Sequence, residues 1–175
     1  KIAVFSATTW SAFDCTAPVA SGGDNLFQQP FPTTAWGKSF LTAPFFSNSS
    51  NRDIIRVFVK DPSTVVQKTE AGVTTTLTGL IAGSYYEYTT GNPTAITADK
   101  PASVVMYIRS QSCQSPASNT DPEMVIINPV EQTINDITVF SAHQNFVPTG
   151  QSQVTNHYLN IIIKTAAAAS FRISG

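Results

Sequence analysis

Charge is what this sequence has least of. Only 12% of its 175 residues are Asp, Glu, Lys or Arg, about half the usual ~25%. The ten cations stand singly and the formal net charge is −1. No basic stripe exists to neutralise phosphates, which argues against nucleic acid as a partner. Long hydrophobic runs are also missing. The longest aliphatic stretch, residues 159–163, is interrupted by Asn160, far short of the roughly 20 apolar residues of a spanning helix. No initiator Met and no signal-peptide apolar segment open the chain, so we expect a processed or excised piece of a longer protein.

Catalytic and metal-binding residue types are equally sparse. Two cysteines, Cys15 and Cys113, are too few for a disulfide framework, and their separation of 98 positions excludes a local metal knuckle. The two histidines, His143 and His157, lie in no recognisable motif, and no G-x-S-x-G is present. Without a nucleophile, base and orienting acid, no catalytic residue is assigned and no enzyme is expected. Asx residues cluster at Asp24-Asn25, Asn51 with Asp53, Asn119 with Asp121, and Asn135-Asp136, but none has the D-x-D-x-D-G spacing of a calcium loop. Turn formation through their own backbone accounts for them. Neither a metal nor a cofactor is therefore expected. Glu70, Glu87, Glu123 and Glu131 fall on separate elements, with nothing to mark a pair of carboxylates for glycoside cleavage. Glu131 is expected to make a structural hydrogen bond to a strand end.

What is present is uncharged polarity together with β-formers. Ser, Thr, Asn and Gln supply the polar surface, with 11 Phe, 5 Tyr and 11 Pro. That bias is typical of all-β domains, and 42% hydrophobic content is enough to bury a core. Short apolar or alternating runs predict strands at 2–6, 25–29, 38–43, 54–60, 64–68, 73–77, 84–89, 95–98, 103–109, 123–128, 136–141, 158–164 and 170–174. Turns are expected at 61–63 and 90–93, a loop over 8–23, and a tight connection over 165–168. In 54–60, Ile55, Val57 and Val59 face one way and Arg56, Phe58 and Lys60 the other. In 84–89, Tyr86 and Tyr88 share a face opposite Tyr85 and Glu87. The fold class is all-β, an antiparallel sandwich or barrel-like arrangement.

The stretch 99–132 also reads as a second, stronger copy of the start of the chain. Lys1 matches Lys100, Cys15 matches Cys113, Asp24 matches Asp121, and Pro30 matches Pro129. We expect two β repeats, 1–99 and 100–175, packed as one compact module with the second incomplete. An incomplete copy leaves either further sequence beyond this chain or an exposed sheet edge. Residues equivalent under a pseudo-twofold axis can face each other across it. Cys15 and Cys113 are thus either a disulfide, worth ~4–5 kcal/mol in the chain-entropy model, or two buried free thiols.

Aromatic side chains are the remaining candidates for a site. Trp10, Phe13, Trp36, Phe45, Phe46, Tyr85, Tyr86 and Tyr88 would form a glycan platform if exposed, and core packing if not. Phe45 and Phe46, beside a polar turn carrying the sequon Asn48-Ser49-Ser50, and Trp10 are the candidate ligand contacts.

Several short patterns carry a resemblance when taken in order. They are W-G-K-x-F (residues 36–40), I-x-R-V (54–57), L-x-x-G-x-Y-Y-E (80–87), A-D-K-P-x-x-V (98–104), Q-S-C (111–113), D-P-x-M (121–124) and P-V-E-Q (129–132). Together they resemble the IgGFc-binding protein N-terminal domain family, over essentially the whole chain. The wording looks more like the branch found in large cell-surface and secreted adhesins of Bacteroidota than the animal, mucus-associated branch. The resemblance implies a non-enzymatic extracellular or cell-surface module. Such a module acts as a spacer or as a protein- or glycan-binding unit, with neighbouring domains of the same polypeptide and a host or cell-surface glycan or protein as partners. The alternative is a structural assembly subunit, of a filament or shell, pairing through an open sheet edge.

Overall fold

The computed structural model describes residues 2–13, 23–45, 53–110, 122–139 and 159–173. Among these are nine strands: β1 Ser6–Ser11, β2 Asp24–Gln28, β3 Gly37–Thr42, β4 Asp53–Val59, β5 Val66–Glu70, β6 Val73–Leu77, β7 Tyr85–Thr90, β8 Thr94–Tyr107 and β9 Met124–Ile127. Every pairing is antiparallel. The all-β class read from composition is the observed one.

β8 is the axis of the larger, seven-stranded sheet. At 94–98 it lies between β5 and β3, and at 104–107 between β4 and β9. Ala102 is in register with both Val59 of β4 and Gly37 of β3, which must sit on opposite sides of it. So β4 and β5 are successive stretches of one flank, and β9 and β3 of the other. β7 extends the first flank from β4, and β6 extends it from β5.

Between its halves β8 is creased. Pairing with β4 ends at Ala102 and pairing with β5 begins at Ala98. The register with β3 also slips, from Gly37↔Ala102 to Ser39↔Thr97. Pro101 sits in that gap. A proline cannot donate to a ladder and is normally barred from a central strand, but here the neighbouring strands diverge around it. The strands expected separately at 95–98 and 103–109 are therefore one, the chain continuing through Asp99-Lys100-Pro101 as strand. The expected repeat boundary at 99/100 falls inside β8.

The core follows the two-residue period. Ile96, Ala102, Val104 and Met106 of β8 are buried on one face with Ile55, Val57, Val59, Val66, Leu77, Leu80 and Phe40, in a sheet curled like a half-barrel. Each such aliphatic side chain contributes about 1.5–3 kcal/mol of burial. The opposite face of the β4–β8–β9 half buries Ile54, Val105 and Tyr107 beneath Leu26 of β2. The Gln28 side-chain amide donates to the carbonyl of Met124 at 2.8 Å, fastening the β1–β2 ribbon over β9.

Four local expectations are corrected. Residues 2–5 are not strand, and the first strand is β1, which starts where the expected strand 2–6 ends and runs into the expected loop 8–23. Ser-Ala-Thr-Thr-Trp-Ser buries little, so pairing with β2 rather than a buried face keeps it extended. Residues 136–139 and 159–164 are irregular, with Ile137, Ile161, Ile162 and Ile163 exposed. β-branched side chains favour a strand only where a partner edge is offered. The alanine run forms a 3-10 helix, Thr165–Ser170, in place of a tight connection. Residues 171–173 continue as irregular chain where a strand was expected.

Candidate functional site

The crease in β8 makes a cleft. On one side the chain leaves β4 and detours through residues 60–65 before entering β5. Asp61 builds that detour as an Asx turn: its Oδ1 accepts from the Ser63 N–H and Ser63 Oγ, both at 2.8 Å, and its carbonyl accepts from the Thr64 N–H at 3.0 Å. On the other side a 3-10 turn, Thr33–Ala35, leads into Trp36 and β3. Between the two lie Lys100 and Pro101. The resulting open cleft, about 590 Å³, is lined by Thr33, Thr34, Trp36, Lys60, Pro62 and Pro101, together with the Lys100–Asp61 pair.

Most of the polar groups here are already committed. The Lys100 ammonium donates to Asp61 Oδ2 and Ser63 Oγ. It is the main reason the Asp61 carboxyl is held down to about 2, with the Ser63 N–H and hydroxyl adding to it. The Val65 N–H donates to Asp99 Oδ1 at 2.8 Å, and the Asp99 N–H donates back to the Val65 carbonyl at 3.1 Å. The Trp36 indole N–H donates to the Phe31 carbonyl at 3.3 Å and leaves its half-buried ring facing the cleft. Lys60 is exposed and has no ion-pair or hydrogen-bond partner among the described residues. The cleft thus offers flat apolar faces, two hydroxyls and one uncompensated positive charge.

The residues singled out from the sequence are not brought together here. Phe45 packs against the main core, and its N–H donates to Asp53 Oδ2 at 2.8 Å. That carboxyl is 3% exposed. Burial pushes it up to about 6, against the opposing pull of the Phe45 N–H and the Arg109 charge. Trp10 is 61% exposed on the β1–β2 ribbon, its indole lying over Gly23. Phe5 stacks on Phe27 in the same region, centroids 5.4 Å apart. Phe46, Cys15, Cys113, His143 and His157 lie outside the described residues. Sequence reading missed Lys60, Pro62, Thr33 and Thr34. The available signal was a pair of oppositely charged residue-proline steps, Asp61-Pro62 and Lys100-Pro101, in a chain short of charge.

Several of the short patterns, by contrast, meet one another or pin a loop. Gly37 of W-G-K-x-F lies so close to Pro129 of P-V-E-Q that a Cβ there would overlap the proline ring. Glu131 Oε1 accepts from the Lys38 N–H at 2.9 Å, the strand-end hydrogen bond expected of it, and the Gln132 side chain donates to the Ala35 carbonyl at 2.8 Å. Arg56 of I-x-R-V pairs with Glu87 of Y-Y-E at 2.8 Å, and its guanidinium lies over the rings of Tyr85 and Tyr107. Lys100 of A-D-K-P fastens the 60–65 detour. These residues hold the fold together.

A family model described as IgGFc binding protein matches residues 1–175. The chain belongs to the IgGFc-binding protein family. It is a family of binding domains, typically extracellular or secreted. Comparison with curated proteins and with solved structures gives no match. In this member of the family, no group of three or more metal-ligating side chains occurs among the described residues, and no helix among them is long and apolar enough to cross a membrane.

Proposed function

We propose that this chain is a non-enzymatic extracellular module of a large bacterial surface or secreted adhesin. It acts as a structural spacer between neighbouring domains of its own polypeptide and binds a host or cell-surface partner, protein or glycan, in the cleft across β8. One observation carries the reading: Lys60, unpaired among the described residues, lines the same cleft as the half-buried Trp36, and the cleft's other charges, Asp61 and Lys100, are spent on each other. Family membership supports binding as the general role. Immunoglobulin Fc is not carried over from the family's description to this chain.

The reading has a direct test in the native cell. Intact cells are treated with added protease and then probed with antibody to this module. Loss of the module without lysis is the expected result, and full protection until lysis overturns the extracellular placement. For binding, purified module is applied to a mucin-coated or host-cell surface. Lys60→Gln and Trp36→Ala are expected to reduce retention several-fold, and unchanged retention rules out the cleft as the contact.

A further inference from the structure

We infer that the cleft across β8 takes an acidic saccharide, with the carboxylate of a uronic- or sialic-type sugar at Lys60 and a sugar ring face on Trp36. This rests on the reading above that the module binds through the cleft.

Charge comes first. Asp61 is neutralised by Lys100, so the Lys60 ammonium is the net charge the cleft presents, and its complement is an anion. Shape and surface come next. Trp36, Pro62 and Pro101 present flat apolar faces, with the Thr33 and Thr34 hydroxyls beside them. A pyranose has the matching chemistry: a C–H face to lie on an indole and a rim of hydroxyls to exchange hydrogen bonds. About 590 Å³ is within the ~300–1,000 Å³ of small-ligand clefts.

The backbone argues against an extended peptide. Strand addition needs an open edge with a row of free main-chain groups. At the cleft β8 offers only the short Lys100-Pro101 gap: the Asp99 N–H is bonded to Val65 and Ala102 is flanked by both Val59 and Gly37, and proline has no N–H to give. Recognition here falls to side chains.

The test is calorimetric titration of the purified chain with 3′-sialyllactose and a hyaluronan tetrasaccharide, against lactose and a chitin tetrasaccharide as neutral counterparts. At least one acidic sugar is expected to bind about ten-fold more tightly than its neutral counterpart, the worth of one charge-assisted hydrogen bond. The two acidic probes distinguish sialic from uronic recognition. Lys60→Gln, an exposed substitution, is expected to abolish the acidic preference. Raising salt from ~50 to ~500 mM is expected to weaken acidic binding in the parent chain. Trp36→Ala is expected to weaken all sugars. Since that indole also bonds Phe31, Trp36→Tyr serves as the second variant and is expected to keep the platform, with circular dichroism checking the fold of each. Acidic sugars binding no better than neutral ones, or Lys60→Gln retaining the preference, overturns the inference. If no acidic sugar binds while the cleft variants still lose surface retention, the saccharide inference fails and the binding-module reading stands. If retention is also unchanged, both fail.

Discussion

Gly37 shows how a single residue carries two of the signature patterns at once. Its missing Cβ lets Pro129 close over the start of β3, so that Glu131 reaches the Lys38 N–H and Gln132 the Ala35 carbonyl. Gly37→Ala is expected to cost about 1–3 kcal/mol by overpacking, read as a lowered urea midpoint with the denaturation slope unchanged. Glu131 was legible in the sequence because charge is so scarce that any carboxylate beside a proline stands out. Lys60 was not, since its meaning depends on three segments meeting: the end of β4, the crease of β8 and the turn before β3. Phe45 and Trp10 read alike as candidate ligand contacts, yet one is packed on the core and the other open. Which of two rings lies inside is decided by tertiary contacts that no local pattern encodes.

At the level of elements, the 60–65 detour depends on a single cation. Lys100 holds the Asp61 turn from across the crease, and Asp99 holds Val65 beside it. Lys100→Ala is expected to leave the strands intact while raising amide hydrogen exchange at residues 61–65 several-fold, a local opening. Exchange no faster there than in the parent chain contradicts the assignment. Strands with alternating burial, such as β4, were legible to within a residue or two, as was the β5–β6 hairpin. β8 was not. Lys-Pro in the middle of an apolar stretch reads as a break, and only the departure of β4 and β5 on one side and the slip of β3 on the other make it tolerable. The apolar run 159–163 misled in the opposite direction. It has strand-forming residues but no strand partner among the described residues, where the Asn160 side chain donates to the carbonyls of Ala43 and Pro44.

For the whole molecule, buried and paired carboxylates give opposite pH dependences. Asp53 is pushed up to about 6 from 3.8, so the folded state holds a proton that the unfolded state releases. Its contribution is full below about pH 4 and lost as pH rises through 6, a difference of about 2–3 kcal/mol. Asp61 and Glu70 are both held down to about 2, chiefly by Lys100 and Lys68 respectively. What they contribute is present above about pH 4 and lost as pH falls toward 2. Urea midpoints measured from pH 3 to 8 are expected to peak between about 4 and 5. Asp53→Asn keeps an acceptor for the Phe45 N–H and is expected to flatten the limb between pH 4 and 6 without touching the acid limb. A parent profile that climbs steadily from 4 to 7 contradicts this.

The axial position of β8 has a consequence for the order in which the protein is made. Among the described strands of its sheet, five of the six that pair with it or extend its flank partners, β3 to β7, precede it on the chain. As the polypeptide emerges, the β5–β6 hairpin can close at once, but β3, β4 and β5 wait for residues up to 107 before their shared partner exists. The lock on β3 waits longer still, for residues 129–132. Until then apolar strand edges stand open, the condition that makes non-local β folds slow and prone to association. The fold is committed only once β8 is made, by a strand most of whose neighbours are already waiting for it.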